Sequence, residues 1–331
     1  MVSNPFSHNP GMFKNVVSSV LMDSQKIDSL SSTTKFGVQQ QAKIIVRLIK
    51  IDKFSRVEEI FNNEIKQQTH TVEGFLYASS LIKEVFFSQF ESGLLSHLNK
   101  WIEQAPQSHL AYTARAYFYY MAGWKIRGHE FIPDTPEDQV KGYVENLNLS
   151  VNDIHKAIEL DPSNPLAIMK ILTLGRNGWA DGDIFESYFT AANEIVPYYT
   201  EAYQEKSDFL NPKWHGESEE YLLDFVRRSV RESPRKTAVA LLLPQVHREL
   251  SWHNDRDIKE YFKQKKVWYE VETNYLRLIE DFPESGFYPL WFAEVAKYMG
   301  KNRLARKYFA LASKRDVNNP VLQAELQEYK R

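Results

Sequence analysis

The chain contains no cysteine among its 331 residues. Disulfides, thiolate metal sites and cysteine nucleophiles are therefore excluded outright. It also lacks an excess of charge of either sign, with 41 Lys and Arg against 43 Asp and Glu and a net charge of −2. No global field favours nucleic acid or an acidic membrane, so no nucleic-acid partner is expected. The run Lys263-Gln264-Lys265-Lys266 is short and reads as a solvated helix face. No stretch approaches the ~18 apolar residues that a membrane-spanning helix requires, and no membrane partner is expected. The segment Val16-Val17-Ser18-Ser19-Val20-Leu21-Met22 is interrupted by serines and followed by no small-residue cleavage pattern. No signal peptide is expected, and a cytoplasmic location follows.

The backbone devices of common enzymes are absent too. There is no Gly-x-x-x-x-Gly-Lys-Ser/Thr, no Gly-x-Gly-x-x-Gly and no Gly-x-Ser-x-Gly. The nine histidines form neither His-Glu-x-x-His nor His-x-x-x-His, and His247 and His253 are spaced too far apart to share one helical face. No catalytic residue, metal or cofactor is expected, and the chain does not read as an enzyme.

What the chain does have is apolar material, 43% hydrophobic and 14% aromatic, enough for a substantial core. Residues 1–35 are rich in Ser, Asn and Lys and read as a flexible tail, with a short helix expected over Met12–Leu21. Beyond them strand signals are nearly lacking and helical periodicity recurs. One junction appears repeatedly. Ile102-Glu103-Gln104-Ala105-Pro106 leads to Ala111, Ile158-Glu159-Leu160-Asp161-Pro162 to Ala167, and Glu194-Ile195-Val196-Pro197 to Ala202. A weaker copy is Ile279-Glu280-Asp281-Phe282-Pro283. Proline cannot continue a helix and biases its predecessor out of the α region, so each junction predicts a sharp stop. Ser, Asn or Thr then caps the next helix, and the alanine allows close packing.

Pro162 and Pro197 are 197 − 162 = 35 residues apart, beside a nominal period of about 34 for tetratricopeptide repeats. Phe189 and Ala192 before Pro197, Ala157 before Pro162, and the set Ala305, Phe309 and Ala312 fit the large and small positions of that repeat. Its Trp-Leu-Gly-Tyr half is mostly missing, so the copies are degenerate. The spacing from Pro106 to Pro162 implies an insertion near 124–135. The fold class expected is all-α: a right-handed α-solenoid of stacked antiparallel helix pairs over 36–331. The pairs are 38–52 with 54–68, 72–86 with 90–104, and 108–123 with 136–160. Next come 164–177 with 183–196, 198–210 with 218–232, 236–251 with 257–282, and 286–299 with 302–315. A helix near 320–330 caps the array.

The turns inside four consecutive pairs each carry a tryptophan. They read Gly123-Trp124-Lys125-Ile126-Arg127-Gly128-His129-Glu130, Gly178-Trp179-Ala180-Asp181-Gly182-Asp183, Pro212-Lys213-Trp214-His215-Gly216-Glu217-Ser218 and Trp252-His253-Asn254-Asp255. An indole at such a turn commonly plugs the end of a core, and the neighbouring acids suit helix N-termini. The sharper reading makes this edge a recognition surface, because tryptophan and arginine dominate interface energetics. Its candidate residues are Trp124, Arg127, His129, Trp179, Lys213, Trp214, His215 and Trp252.

Two of these turns resemble motifs of a bacterial family known only as a domain of unknown function. Ala122-Gly123-Trp124-Lys125-Ile126-Arg127-Gly128 is similar to its Trp-x-x-Arg-Gly element. Leu210-Asn211-Pro212-Lys213-Trp214-His215-Gly216-Glu217-Ser218 is similar to its Leu-x-Pro-Lys/Arg-Trp-Gly-Gly-Ser element, with Phe225 as the aromatic of the following helix. Leu48-Ile49-Lys50-Ile51-Asp52-Lys53-Phe54 resembles the family's opening helix and turn. His215 replaces the first glycine and Glu217 is an extra residue. The resemblance, over about 40–315, implies a tetratricopeptide-like array and bacterial origin, and supplies no activity.

The function expected is an interaction scaffold that binds a peptide segment or folded protein through its concave face or the tryptophan edge. One alternative is an immunity or effector-associated protein that neutralises a cognate toxin. Another is a small-ligand binder or enzyme near Trp124, Arg127 and Trp214, with Glu130, Asp183 or Glu217 as acid/base.

Overall fold

The computed structural model describes residues 33–128, 130, 134–252 and 256–330. The short helix expected over Met12–Leu21 lies outside the described residues. Among the described residues 75% are helical, and the only β pairing is the isolated bridge between His70 and Leu76. Two compact units share the stretch read above as one array. The first comprises the chain up to Gln67 and Ser80–Leu160; the second comprises Gln68–Ser79 and the chain from Asp161 onward.

In the first unit run α1 (Lys35–Lys50), α2 (Phe54–Gln67), α3 (Tyr77–Phe87, whose first turn groups with the second unit), α4 (Leu94–Gln104), α5 (His109–Arg127) and α6 (Glu137–Leu160). Each packs chiefly on near neighbours in sequence: α1 on α2 and α4, α4 on α5, and α5 on α6. Phe54, in the segment that resembles the family's opening turn, stacks on Trp101 with centroids 5.4 Å apart, and the indole Nε1–H donates to Glu58 at 2.9 Å. Arg115 clamps Asp153 with two 2.8 Å hydrogen bonds and reaches Asn99 at 3.0 Å, which ties α4, α5 and α6 together.

The second unit holds α7 (Pro165–Leu174), α8 (Gly182–Ile195), α9 (Thr200–Phe209), α10 (Glu219–Glu232), α11 (Leu242–Leu250), α12 (Ile258–Lys263), α13 (Lys265–Asp281), α14 (Phe287–Tyr298), α15 (Asn302–Ala312) and α16 (Pro320–Lys330). A π-helical turn, Gly175–Trp179, follows α7, and a 3₁₀ turn, Ala238–Leu241, precedes α11. Alternate helices touch, α7 with α9, α9 with α11 and α11 with α13. Leu322 and Leu326 of α16 pack on Phe287, Leu290 and Ala312, which closes the last core cluster.

The proline junctions act as the sequence predicts. Helices α4, α6, α8 and α13 end at Gln104, Leu160, Ile195 and Asp281, each two residues before Pro106, Pro162, Pro197 and Pro283. The alanines that follow, Ala111, Ala167 and Ala202, are fully buried, as is Tyr288 at the fourth junction. Side-chain oxygens of Ser108, Asn164, Asp181, Ser218 and Asp257 accept from the first free amides of α5, α7, α8, α10 and α12.

Several boundaries differ from the sequence reading; the helix expected over 257–282 is broken at Gln264 into α12 and α13, and the one expected over 236–251 begins with the 3₁₀ turn Ala238–Leu241. Helix α5 runs through Trp124 to Arg127, so the insertion begins only at Gly128. The reason is packing: Trp124 gains ring contacts from α6 that reward one further turn of helix. Trp179 ends a π-helical turn rather than lying in an open loop, with Gly178 at φ 96°. The helix expected from residue 72 starts at Tyr77, because the preceding residues fold back in a turn in which the Thr71 amide donates to the Phe75 carbonyl at 2.8 Å.

Candidate functional site

The Leu210–Ser218 turn is built from its own sequence. Buried Asn211 organises it: its carbonyl accepts from the Trp214 amide at 2.8 Å and the Gly216 amide at 3.2 Å, and its Oδ1 accepts from the Lys213 amide at 3.0 Å. Pro212 prevents α9 from continuing. Gly216 passes so close to the preceding chain that a Cβ there would lie 1.7 Å from the Leu210 carbonyl oxygen. Ser218 then caps α10, accepting from the Tyr221 amide at 3.1 Å. The motif residues thus have local geometric jobs, and the result is that Trp214 is turned outward.

His215 braces this turn. Its ring stacks on Phe209 at 4.8 Å, and its Nε2–H donates to the Arg176 carbonyl at 2.9 Å, which pins this turn to the π-helical turn after α7. Arg176 in turn donates through Nε to Glu205 at 2.7 Å, lies 3.6 Å from Asp208, and covers Trp214 at 5.6 Å from the ring centroid. Lys213 lies 5.8 Å from the same ring.

Trp252 follows α11, with the Arg248 guanidinium 5.8 Å from its ring. Trp214 and Trp252 are 42% and 62% exposed and open into one cleft of about 660 Å³. Arg176, Asp208, Asn211, Lys213, Glu219 and Glu249 share its lining. Glu219 is held by both oxygens to Arg256 at 2.9 Å, and Glu249 accepts from the Asn211 amide group at 3.4 Å. Burial, then Glu205 and Glu249, push the Asp208 carboxyl up to about 7 against the opposing charge of Arg176. The cleft therefore joins two exposed indoles to an acid that changes charge near neutrality.

The remaining candidate residues lie elsewhere. Trp124 belongs to the first unit and is half-buried: its ring meets Tyr143 edge-on at 5.2 Å and Tyr120 at 6.3 Å, and Arg127 covers it at 4.9 Å. Gly128 ends the helix at φ 74°, a conformation that glycine takes without strain. Trp179 is half-buried at the end of its π-helical turn. His129 lies outside the described residues.

Sequence reasoning missed Arg176, Asp208, Glu219 and Glu249. A signal did exist for Asp208. It occupies the last turn of α9, where the helix dipole disfavours a negative charge.

Among the described residues, no helix is long and apolar enough to cross a membrane. No curated protein matches the sequence. Two solved structures resemble the protein in outline. An IFIT1 monomeric mutant with Gppp-AAAA shares 12% identity over 94% of this chain and 66% of that one, with a TM-score of 0.41. A human IFIT1 dimer with PPP-AAAA shares 13% identity over 97% of this chain and 74% of that one, with a TM-score of 0.39. The expected exclusion of nucleic acid is withdrawn. That exclusion rested on a net charge of −2, which describes the long-range field and not the charge of one cleft. Residues 41–180 match the family model described as Domain of unknown function (DUF4034), a span that includes the Trp124 and Trp179 turns and ends before the Trp214 turn.

Proposed function

We propose that this protein is a non-enzymatic binding scaffold of stacked antiparallel helix pairs, in the right-handed sense of tetratricopeptide arrays. Its recognition site is the Trp214–Trp252 cleft, and its ligand is a peptide segment of a partner protein. The observation that carries this reading is the convergence of two exposed indoles, 42% and 62% accessible, on one cleft. Trp124, by contrast, is half-buried against Tyr143 and Tyr120. Exposed aromatic surface beside arginine and polar anchors is the composition of interface hot spots. Neutralisation of a cognate toxin is one form such binding could take.

The test is affinity capture with the full chain, followed by mass spectrometry, comparing the parent protein with Trp214→Ala and Trp252→Ala. A stoichiometric protein is expected to be captured by the parent and lost with Trp252→Ala, at a nearly unchanged melting temperature. A protein partner retained by both variants overturns the assignment.

Asp208 favours a second reading. A carboxyl titrating near 7 in a cleft suits acid–base chemistry on a small ligand. A small-molecule thermal-shift screen in which Asp208→Asn removes a hit, with no protein partner captured, selects that reading instead.

A further inference from the structure

Residues 295–315 contain Lys297, Lys301, Arg303, Arg306, Lys307, Lys314 and Arg315 and not one Asp or Glu. Two of these cations work inside the fold. Lys297 acts on the Glu294 carboxyl, and Arg315 donates through Nη1 to the carbonyls of Ile279, Phe282 and Ser285 at 3.3–3.4 Å. The other five are exposed, and among the described residues none of them pairs with a carboxylate. Lys301 lies 4.4 Å from the Trp268 ring, whose N–H donates to Glu272 at 2.8 Å. Lys307 lies 5.0 Å from the Tyr308 ring, and Arg306 reaches the Asn302 carbonyl of its own helix at 3.3 Å. Arg303 and Lys314 have no partner among the described residues. Lys301, Arg303 and Lys307 line an open concavity of about 880 Å³ to whose wall no acid contributes.

Helix α8 shows that the fold does not require this charge. Its Phe189 and Ala192 occupy the repeat positions of Phe309 and Ala312 in α15, and both alanines are fully buried. In that register the exposed Asp183, Glu186, Ser187, Thr190 and Glu194 of α8 correspond to the exposed Arg303, Arg306, Lys307, Ala310 and, just past the end of α15, Lys314. Three positions that are acidic in one repeat are basic in the other. The basic version also works against its own helix. Arg303 stands one turn from both Arg306 and Lys307, a like-charge arrangement that destabilises a helix. Lys301 and Arg303 lie at the N-terminal end of α15, where the helix dipole disfavours cations. An anionic ligand would relieve both penalties.

We propose that the basic ridge of α15 binds the phosphodiester backbone of single-stranded nucleic acid, a role that goes beyond the peptide cleft and does not rest on it. Phosphates require only a row of cations, and unpaired bases require an accessible ring on which to stack. Tyr298, at 48% exposure, and the half-buried Trp268 beneath Lys301 supply rings where the ridge begins. A protein interface is built around an apolar anchor, whereas the outward positions of α15 carry no apolar side chain larger than Ala310. A membrane-surface helix inserts its apolar face, whereas that face of α15, Ala305, Tyr308 and Ala312, is buried in the fold. The charge is local, so a net charge of −2 for the whole chain does not oppose it.

The experiment is fluorescence polarisation with the full chain. Its probes are a labelled oligouridylate and a labelled oligoglutamate of equal charge, and co-sedimentation with phosphatidylserine vesicles runs beside it. The oligouridylate is expected to bind with a Kd of about 1–100 µM, and to weaken about twentyfold between 50 and 200 mM salt if three phosphates are contacted. Arg303→Gln, Arg306→Gln and Lys307→Gln combined are expected to weaken it at least about tenfold and to flatten the salt dependence. The melting temperature of that variant should equal or exceed the parent's, because like charges are removed. Unchanged affinity in the triple variant overturns the proposal. So does tighter binding of the oligoglutamate, which selects an acidic protein segment, or binding to the vesicles alone. A salt-sensitive dimer lost in the triple variant, with no oligouridylate bound, would place α8 of a second copy on the ridge and overturn it as well.

Discussion

His247 is fully buried and its Nε2–H donates to the Glu270 carboxylate at 2.8 Å. In the neutral ring Nδ1 then accepts from the Tyr261 hydroxyl at 2.9 Å. Burial, with Glu219 next, pushes that phenol up to about 12, so it stays protonated and able to donate. Arg227 holds the other side of Glu270 through bonds of 2.8 and 3.2 Å. One imidazole thus connects α11, α12 and α13, and its two nitrogens are both used.

Glu270 makes this network sensitive to acid. Burial alone would raise its pKa, but hydrogen bonds from His247 and Arg227 outweigh that and bring it from 4.5 down to about 2. A lowered folded-state pKa means stability that is complete above pH 4.5 and is lost as pH falls toward 2, at most about 3 kcal/mol. Glu270→Gln is expected to lose most of the acid sensitivity in that window. His247→Ala should cost about 3 kcal/mol at pH 7, because it leaves a cavity and an under-paired buried carboxylate. Urea denaturation of each variant at pH 3 and pH 7 checks both.

Glu73 should behave with the opposite sign. Burial raises its carboxyl from 4.5 to about 7, although it accepts from Ser285. A raised folded-state pKa means that ionisation opposes folding, and stability declines as pH rises from about 4.5 to about 7. Glu73→Gln is expected to be more stable than the parent above pH 7, by up to about 3 kcal/mol, and equal to it below pH 4. Melting temperatures across that range give the difference directly.

Gly216→Ala should break the Trp214 turn. The added Cβ would fall 1.7 Å from the Leu210 carbonyl oxygen, which is backbone and has no rotamer to escape into. A loss of about 2 kcal/mol or more is expected. Trp214 fluorescence should shift on a Trp252→Phe background, where the change in its surroundings is easier to read.

In the first unit, Arg115→Ala is expected to destabilise by about 3–5 kcal/mol, because it strands the buried Asp153 carboxylate. The Arg115→Ala, Asp153→Ala double variant should recover part of that loss. A double-mutant cycle in guanidinium measures the coupling, and additive single losses would show that the pair contributes nothing beyond packing.

The two tryptophan motifs show where sequence reasoning succeeds and where it stops. Both contain glycine, tryptophan and a basic residue at a helix–helix turn. Trp124 is half-buried against Tyr143, which α6 brings to meet it. Trp214 lies outward because Asn211 and Gly216 fold its turn back on Leu210. Nothing in either motif encodes whether an aromatic partner will arrive from the next helix.

The helices and their proline-marked ends were legible from the chain alone. Proline cannot occupy a helix interior, and Ser108, Asn164, Asp181 and Ser218 satisfy free amides within their own turns. These are interactions over two to five residues, so they leave a direct mark on the sequence. The cleft is of another kind. It brings Arg176, Asp208, Trp214, Glu249 and Trp252 together from the π-helical turn, α9, α11 and two connecting turns. The raised pKa of Asp208 arises there from burial and from Glu205 and Glu249 together. Such a field depends on distances between helices, and packing alone sets those. Local chemistry determined that the chain is helical and where its proline-marked helices stop; only the tertiary structure decided which tryptophans face solvent and which carboxylates they meet.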